Sequence, residues 1–212
     1  MTQAPSADAK PGLRERNKAQ KARLIREAAR HLFFTKGYEA TTLREVAALA
    51  DVGFGTVSAY AVDKAGLLAM LYVDDLDHLP PLFNDVDTSA TLLDQLLAGF
   101  GKLYEFWAKS PELSRVVLPQ MEFYIANPFI DVIMKRREQL QVTLAEWLTE
   151  WQRQGRIGQE HDPAQVAATL FAIYTSALRG WITQDPLDLD EGRKRLAYLL
   201  SFPVQVLARD AS

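Results

Sequence analysis

Few side chains in this sequence stand where they could carry out covalent chemistry. The three histidines, His31, His78 and His161, lie far apart, and none has a histidine partner at metal-ligand spacing. No Glu-x-x-His pair of the di-iron kind, no glycine-rich phosphate loop and no nucleophile elbow occurs. Cysteine is absent, which excludes thiolate nucleophiles, thiolate metal ligands and disulfides. Glu146 and Glu150 sit one helical turn apart, but beside Trp147 and Trp151 they read as the wet edge of an amphipathic helix. No catalytic residue, metal site or cofactor is expected. The chemistry to look for is recognition.

The recognition chemistry concentrates in residues 44–64, REVAALADVGFGTVSAYAVDK. Two helices can cross closely only where their facing residues are small. Ala47 sits four residues before the turn at Asp51, with Val46 and Val57 placed to seal the corner. The turn needs a residue able to take positive φ, and Asp is among the better-tolerated substitutes for Gly. This spacing is that of a helix-turn-helix, whose second helix enters the major groove of DNA by its N-terminal residues. Gly53, Gly55 and Thr56 fall at that end, where small side chains allow close approach. Phe54, beside them, is expected to face solvent, where it can meet a thymine methyl or a sugar. The stretch is poor in basic residues, yet half or more of protein–DNA hydrogen bonds go to phosphate and sugar, and hydroxyls or backbone N–H groups can make them.

The rest of the chain must position this corner. Residues 1–64 carry 11 Lys and Arg against 7 Asp and Glu, and the remainder carries 13 against 20. A basic front on an acidic body suits a protein that meets nucleic acid at one end. Residues 1–13 read as a mobile tail. From Arg14 to Phe34 apolar residues recur at helical spacing, and Gly37 can end that helix. Thr41 and Thr42 offer N-caps for a short helix to about Ala50. A third helix is expected over 54–60, and Asp63 can cap a fourth from Lys64 to about His78, before Pro80-Pro81. Beyond lie helices from Thr88 or Ser89 to Ala108, from Ser110-Pro111, from Asn127-Pro128 to Gln154, from Asp162-Pro163 to about Thr183, and after Asp190. Pro119 is expected to kink or break its helix, and Pro203 to bend or truncate the last one. With no alternating strand pattern, the fold class is all-α. There is no signal-peptide pattern and no run long enough to span a bilayer, so a cytoplasmic protein without a membrane partner is expected.

The order of these features is specific. LFFTKGYEATTLREVAALADVGFGTVSAYAVDKAGLL, residues 32–68, resembles in order and spacing the TetR/AcrR family of bacterial transcriptional repressors. The remainder matches only in its helical plan. The resemblance implies a DNA-binding domain over 14–62, with the helix-turn-helix at 42–61, and a ligand-binding and dimerisation domain over 63–212. It implies that Thr42 and Lys64 reach phosphate, that Tyr60 contacts the DNA backbone and that Gly55 and Thr56 lie against the groove, while Gly53 stands where the family often has a capping Ser or Thr. Arg44 is a further phosphate candidate, and Ser58 can donate to a base or a phosphate. Two positions depart from the family: Ser58 replaces a usual Tyr and Ala61 a usual Phe.

The resemblance also implies a homodimer on double-stranded DNA, built on the last two helices of each subunit, and a small-molecule effector of unknown identity. Residues 162–183 are apolar on more than one face, so that helix must be buried on both sides. Val166, Leu170, Ile173, Ala177 and Trp181 form the stripe expected at the dimer interface. Candidate pocket residues are Phe100, Tyr104, Trp107, Met121, Glu122, Tyr124, Trp147, Phe171 and Tyr174. Gly99 and Gly101 flank Phe100 inside a helix, each at a cost of about 1 kcal/mol relative to Ala, so close packing or ligand space is expected there. The leading reading is a repressor on a palindromic operator, released by an inducer. The alternatives are a helical interaction module with an impaired DNA-binding corner and, more remotely, an all-α enzyme.

Overall fold

The computed structural model describes residues 12–83, 87–122 and 130–209. Among these the chain forms nine helices and no strand. It divides into two compact units, one ending at Tyr72 and one beginning at Val73.

The first unit is built from α1 (Leu13–Thr35), α2 (Leu43–Leu49), α3 (Phe54–Tyr60) and the start of α4 (Lys64–Asp77). α1 is followed by Gly37 at φ 90°, and the buried Thr41 hydroxyl donates to the Gly37 carbonyl at 2.8 Å. Thr42 then opens α2 with a reciprocal cap. Its hydroxyl accepts from the Glu45 N–H, while the Glu45 carboxylate accepts from the Thr42 N–H at 2.9 Å. The helical corner turns on Asp51 at φ 53°, as the sequence leads one to expect. Val52 N–H donates back to the Ala47 carbonyl at 3.0 Å and ties the turn to α2. Ile25, Ala29 and Phe33 of α1 are buried with Val46, Ala47, Val57 and Ala61. Ala61 is wholly buried, so the corner closes on a methyl where the family commonly has a ring. Asp63 accepts from the Gly66 N–H at 2.7 Å at the start of α4.

The second unit contains α5 (Leu92–Ala108), α6 (Pro111–Glu122), α7 (Ile130–Arg153), α8 (Pro163–Ile182) and α9 (Leu189–Arg209). α8 packs against α5, α6, α7 and α9, which is why it can be apolar nearly all round. Asp162 accepts from the Ala164 N–H at its start, with Pro163 at the first helical position. Three helix ends differ from expectation. α5 begins later, because Thr91 rather than Thr88 or Ser89 accepts from the Asp94 N–H; Ser89 instead turns back onto the Asp87 carboxylate. α9 continues through Pro203 and α6 through Pro119, so neither proline ends its helix. Packing of both helices against α8 or α5 outweighs the local cost of the missing N–H. Asn127 and Pro128 lie outside the described residues.

The glycine pair in α5 resolves into one packing role and one ordinary position. A Cβ at Gly99 would collide with the Phe83 ring, which stacks on Trp147 at 5.2 Å and meets Phe100 edge-on at 5.8 Å. A Cβ at Gly101 would meet only the Arg193 guanidinium, at 3.7 Å.

Candidate functional site

In the first unit the N-terminal half of α3 stands open. Gly53, Phe54 and Gly55 are exposed, Phe54 by 49%. Val57, on the opposite side of the same short helix, and Ala61, just after its end, are fully buried. A Cβ added at Gly55 would find nothing within 4 Å, so among the described residues nothing calls for glycine there. Thr56 and Ser58 are half-buried at the edge of this face. Arg44 of α2 is exposed, its guanidinium 5.8 Å from the centre of the Phe54 ring.

A groove runs beside this face. Arg14, Asn17, Lys18 and Lys21 of α1 form one wall, and Gly55, Thr56, Ala59 and Tyr60 of α3 the other. The Tyr60 hydroxyl donates to the Lys18 carbonyl at 2.7 Å and locks α3 to α1. Its hydrogen is committed, so Tyr60 can meet an external group only as an acceptor or through its ring. Lys64 is also engaged: Nζ donates to the Glu39 carbonyl at 2.9 Å, lies 3.4 Å from its carboxylate and 4.4 Å from the centre of the Tyr38 ring. Burial, then Glu39, pushes the Tyr38 hydroxyl above its ordinary pKa. Thr42 is exposed with its side chain held by Glu45, and Lys36 pairs with the same carboxylate. Of the residues singled out in the sequence, Thr42, Arg44, Gly53, Phe54 and Gly55 are exposed. The basic front of the chain is legible in the sequence, but the place of Lys18 and Lys21 beside α3 is not, because a contact between α1 and α3 bridges about 40 residues of chain.

The second unit holds an apolar cavity of about 360 Å³. Leu76 and Leu79 line one side, Leu103 and Trp107 of α5 another, Leu140 of α7 and Leu178 of α8 the rest. Of the sequence candidates, Trp107, Phe171 and Tyr174 reach the wall. Phe100, Tyr104 and Trp147 do not line it: Phe100 stacks behind Tyr174 at 4.8 Å, Tyr104 on Trp181 at 4.6 Å, and Trp147 on Phe83. They are core, because rings at helical spacing first satisfy one another. Tyr124 and the side chains of Met121 and Glu122 lie outside the described residues. Arg136 and Arg137 border the cavity; Arg136 pairs with Asp77, and Arg137 lies 5.6 Å from the Phe171 ring centre.

Three of the five residues of the expected dimer stripe are covered within one chain. Leu170, Ala177 and Trp181 are fully buried within one chain, Trp181 by its stack on Tyr104 and a 2.5 Å hydrogen bond to the Asp188 carbonyl. Val166 and Ile173 are half-buried. The outward face of α8 carries Ala168, Ala172 and Ser176 instead. On α9, Tyr198, Phe202 and Val206 are 65%, 55% and 54% exposed at four-residue spacing, the first two in edge-to-face contact at 5.1 Å. That stripe was legible in the sequence as an i, i+4, i+8 series.

An exposed recognition helix on a buried bihelical corner, followed by a helical unit with its own cavity, defines a helix-turn-helix regulator. Residues 25–71 match the model of the bacterial regulatory proteins of the tetR family. The chain is 29% identical over 190 residues to the HTH-type transcriptional regulator TtgR of Pseudomonas putida, covering 83% of this chain and 88% of that protein. Two solved structures share the fold. A TetR-family transcriptional regulator from Pectobacterium atrosepticum has a TM-score of 0.67 at 20% identity, over 91% of this chain and 96% of the other. FadR of Thermus thermophilus, a TetR-family repressor solved with lauroyl-CoA, has 0.64 at 22%, over 88% and 94%. These likenesses support a TetR-family DNA-binding transcription regulator rather than an enzyme. Among the described residues no helix is long and apolar enough to cross a membrane.

Proposed function

We propose that this regulator binds a palindromic operator in the cytoplasm as a homodimer and releases it when an effector fills the α5–α8 cavity. The observation that carries the DNA reading is the open N-terminal half of α3. Gly55 has space for a side chain, yet carries none, at a cost of about 1 kcal/mol to the helix. Close approach by a groove supplies the missing reason. Arg14, Lys18 and Lys21 line the flank of that helix and suit phosphates on either side of the groove. Thr42, Arg44, Ser58, Tyr60 and Lys64 surround the same face, Tyr60 and Lys64 chiefly by fixing α3 and α4 in place. A DNA-binding domain of 14–62 and a larger domain of 63–212 fit this division of labour.

The dimer would form on α8 and α9 through Tyr198, Phe202 and Val206, with Ala168 and Ala172 letting the helices approach. Two copies place two recognition helices on one face of a duplex, about 34 Å or a multiple apart. The effector acts through α4, which starts at Lys64 beside the corner and carries Leu76 in the cavity wall. It shifts the balance only by preferring the state that does not bind DNA.

The test is a gel-shift titration of the full-length protein on its own upstream DNA at several salt concentrations. A shift whose affinity falls steeply with salt supports the reading. No shift at low salt on any upstream fragment would hand the case to the interaction-module reading.

A further inference from the structure

From the wall of the α5–α8 cavity we infer that the effector is an uncharged, largely apolar molecule that offers one hydrogen-bond acceptor, such as a carbonyl oxygen, to the Tyr174 hydroxyl. This rests on the reading of the cavity as the effector site and specifies what it takes.

One hydrogen in the wall is unspent. Trp107 and Tyr174 both line the cavity, and the Trp107 indole N–H donates to the Tyr174 hydroxyl oxygen at 3.0 Å. An indole nitrogen can only donate, so the Tyr174 oxygen accepts and its own hydrogen must point elsewhere. Its ring neighbours do not take that hydrogen. Phe100 and Phe171, with ring centres at 4.8 Å and 5.7 Å, carry no acceptor atom. The hydroxyl of Tyr104, whose ring centre is 6.1 Å away, makes no hydrogen bond among the described residues. Tyr174 is 3% exposed, so water at the molecular surface does not satisfy the donor either. A buried donor without a partner is costly unless something fills the space it faces. Burial also holds the Tyr174 hydroxyl well above its ordinary pKa, so it stays protonated and remains a donor.

The rest of the wall asks for no charge. Leu76, Leu79, Leu103, Leu140 and Leu178 make most of it apolar. Arg136 is balanced by Asp77, and Arg137 is already engaged within the chain, so neither guanidinium is left for a ligand to neutralise. No carboxylate stands in the described lining, so a cation would find no counter-charge. An ion brought from water into such a wall loses its hydration without a compensating partner. The other polar groups are spent or wet. The Thr175 hydroxyl donates to the Ala172 carbonyl at 3.0 Å, Gln139 is exposed, and Thr143 is half-buried. Tyr174 is therefore the group in the wall that a ligand has to satisfy, and an acceptor satisfies it. The leucines and Trp107 require the remainder to be an apolar body of a size to occupy about 360 Å³.

Two compounds isolate the hydrogen bond from the cavity. Diphenylmethane and benzophenone share one skeleton, and only the second has a carbonyl in place of the central methylene. Both are titrated into the full-length protein as competitors of N-phenyl-1-naphthylamine, a neutral dye that fluoresces in apolar surroundings. The dye should bind, and both compounds should displace it. Tyr174→Phe keeps the ring and removes the hydrogen. It should weaken benzophenone about five- to tenfold and leave diphenylmethane unchanged, which also reports that the variant is folded. 4-Benzoylbenzoate, the same ketone with a carboxylate added, should bind more weakly than benzophenone. Thr175→Trp, which fills the cavity, should abolish the dye signal while circular dichroism stays unchanged. A benzophenone affinity that survives Tyr174→Phe, or equal weakening of both compounds, overturns the inference and leaves the effector cavity standing. Tighter binding of 4-benzoylbenzoate than of benzophenone does the same. A dye signal that persists in Thr175→Trp, or no dye binding to the parent protein, brings down the cavity reading and the inference with it.

Discussion

Replacing Phe202 by Ala tests whether the α9 stripe is an interface. The ring is 55% exposed in a single chain. A phenylalanine buries about 150–250 Å² when fully covered, so about 100 Å² remains for a partner to cover. At about 25 cal/mol per Å², and with the Ala methyl retained, the loss is about 2 kcal/mol for each copy. In a two-fold dimer every substitution occurs twice, so association should weaken by about 4 kcal/mol, or about a thousandfold in the dimer dissociation constant. The fold of each chain should be little affected, because the ring is already half in water. Sedimentation velocity over a dilution series reads the constant, and circular dichroism confirms the helices. Phe34 of α1 is equally exposed, at 57%, so Phe34→Ala controls for the loss of any surface ring. The reasoning fails if Phe202→Ala moves the constant less than tenfold, or if Phe34→Ala moves it as far.

Other substitutions probe the corner and the core. Gly55→Ala should raise thermal stability by about 0.5–1 kcal/mol, since the added methyl meets open space in a helix, while weakening the gel shift. An unchanged gel shift would show that no groove presses on that position. Tyr104→Phe removes a buried hydroxyl that has no hydrogen-bond partner among the described residues, so urea denaturation should find the variant as stable as the parent or more so by about 1 kcal/mol. A loss of that size would mean the hydroxyl is satisfied. Lys36 first, and then Thr42, hold the Glu45 carboxyl below its ordinary pKa. A depressed carboxylate stabilises the fold above its unfolded pKa, about 4.3, and the contribution fades as pH falls through the folded value. The stability gap between wild type and Glu45→Gln should therefore be constant near neutral pH and close in acid; a gap that widens in acid contradicts the cap.

What the sequence settled by itself was local. A helix cap needs a hydroxyl and a carboxylate three residues apart, and Thr42 and Glu45 are three apart; a tight turn needs a tolerated positive φ, and Asp51 supplies it. The helical plan, the placing of Val46 and Val57 to seal the corner, and the exposure of Phe54 were legible from spacing along the chain. Tertiary structure decided which apolar residues are spent inside the chain. Leu170 and Trp181 lie on a stripe as regular as Tyr198, Phe202 and Val206, yet the first pair is buried by α5 and α9 while the second set faces out. Periodicity marks a face without saying what covers it. The same holds for the cavity: Phe100, Tyr104 and Tyr174 are equally aromatic, and only the crossing of α5 and α8 puts Tyr174 on the wall with a hydrogen to give. Such assignments depend on partners 60 or more residues away in the chain, which no local spacing records.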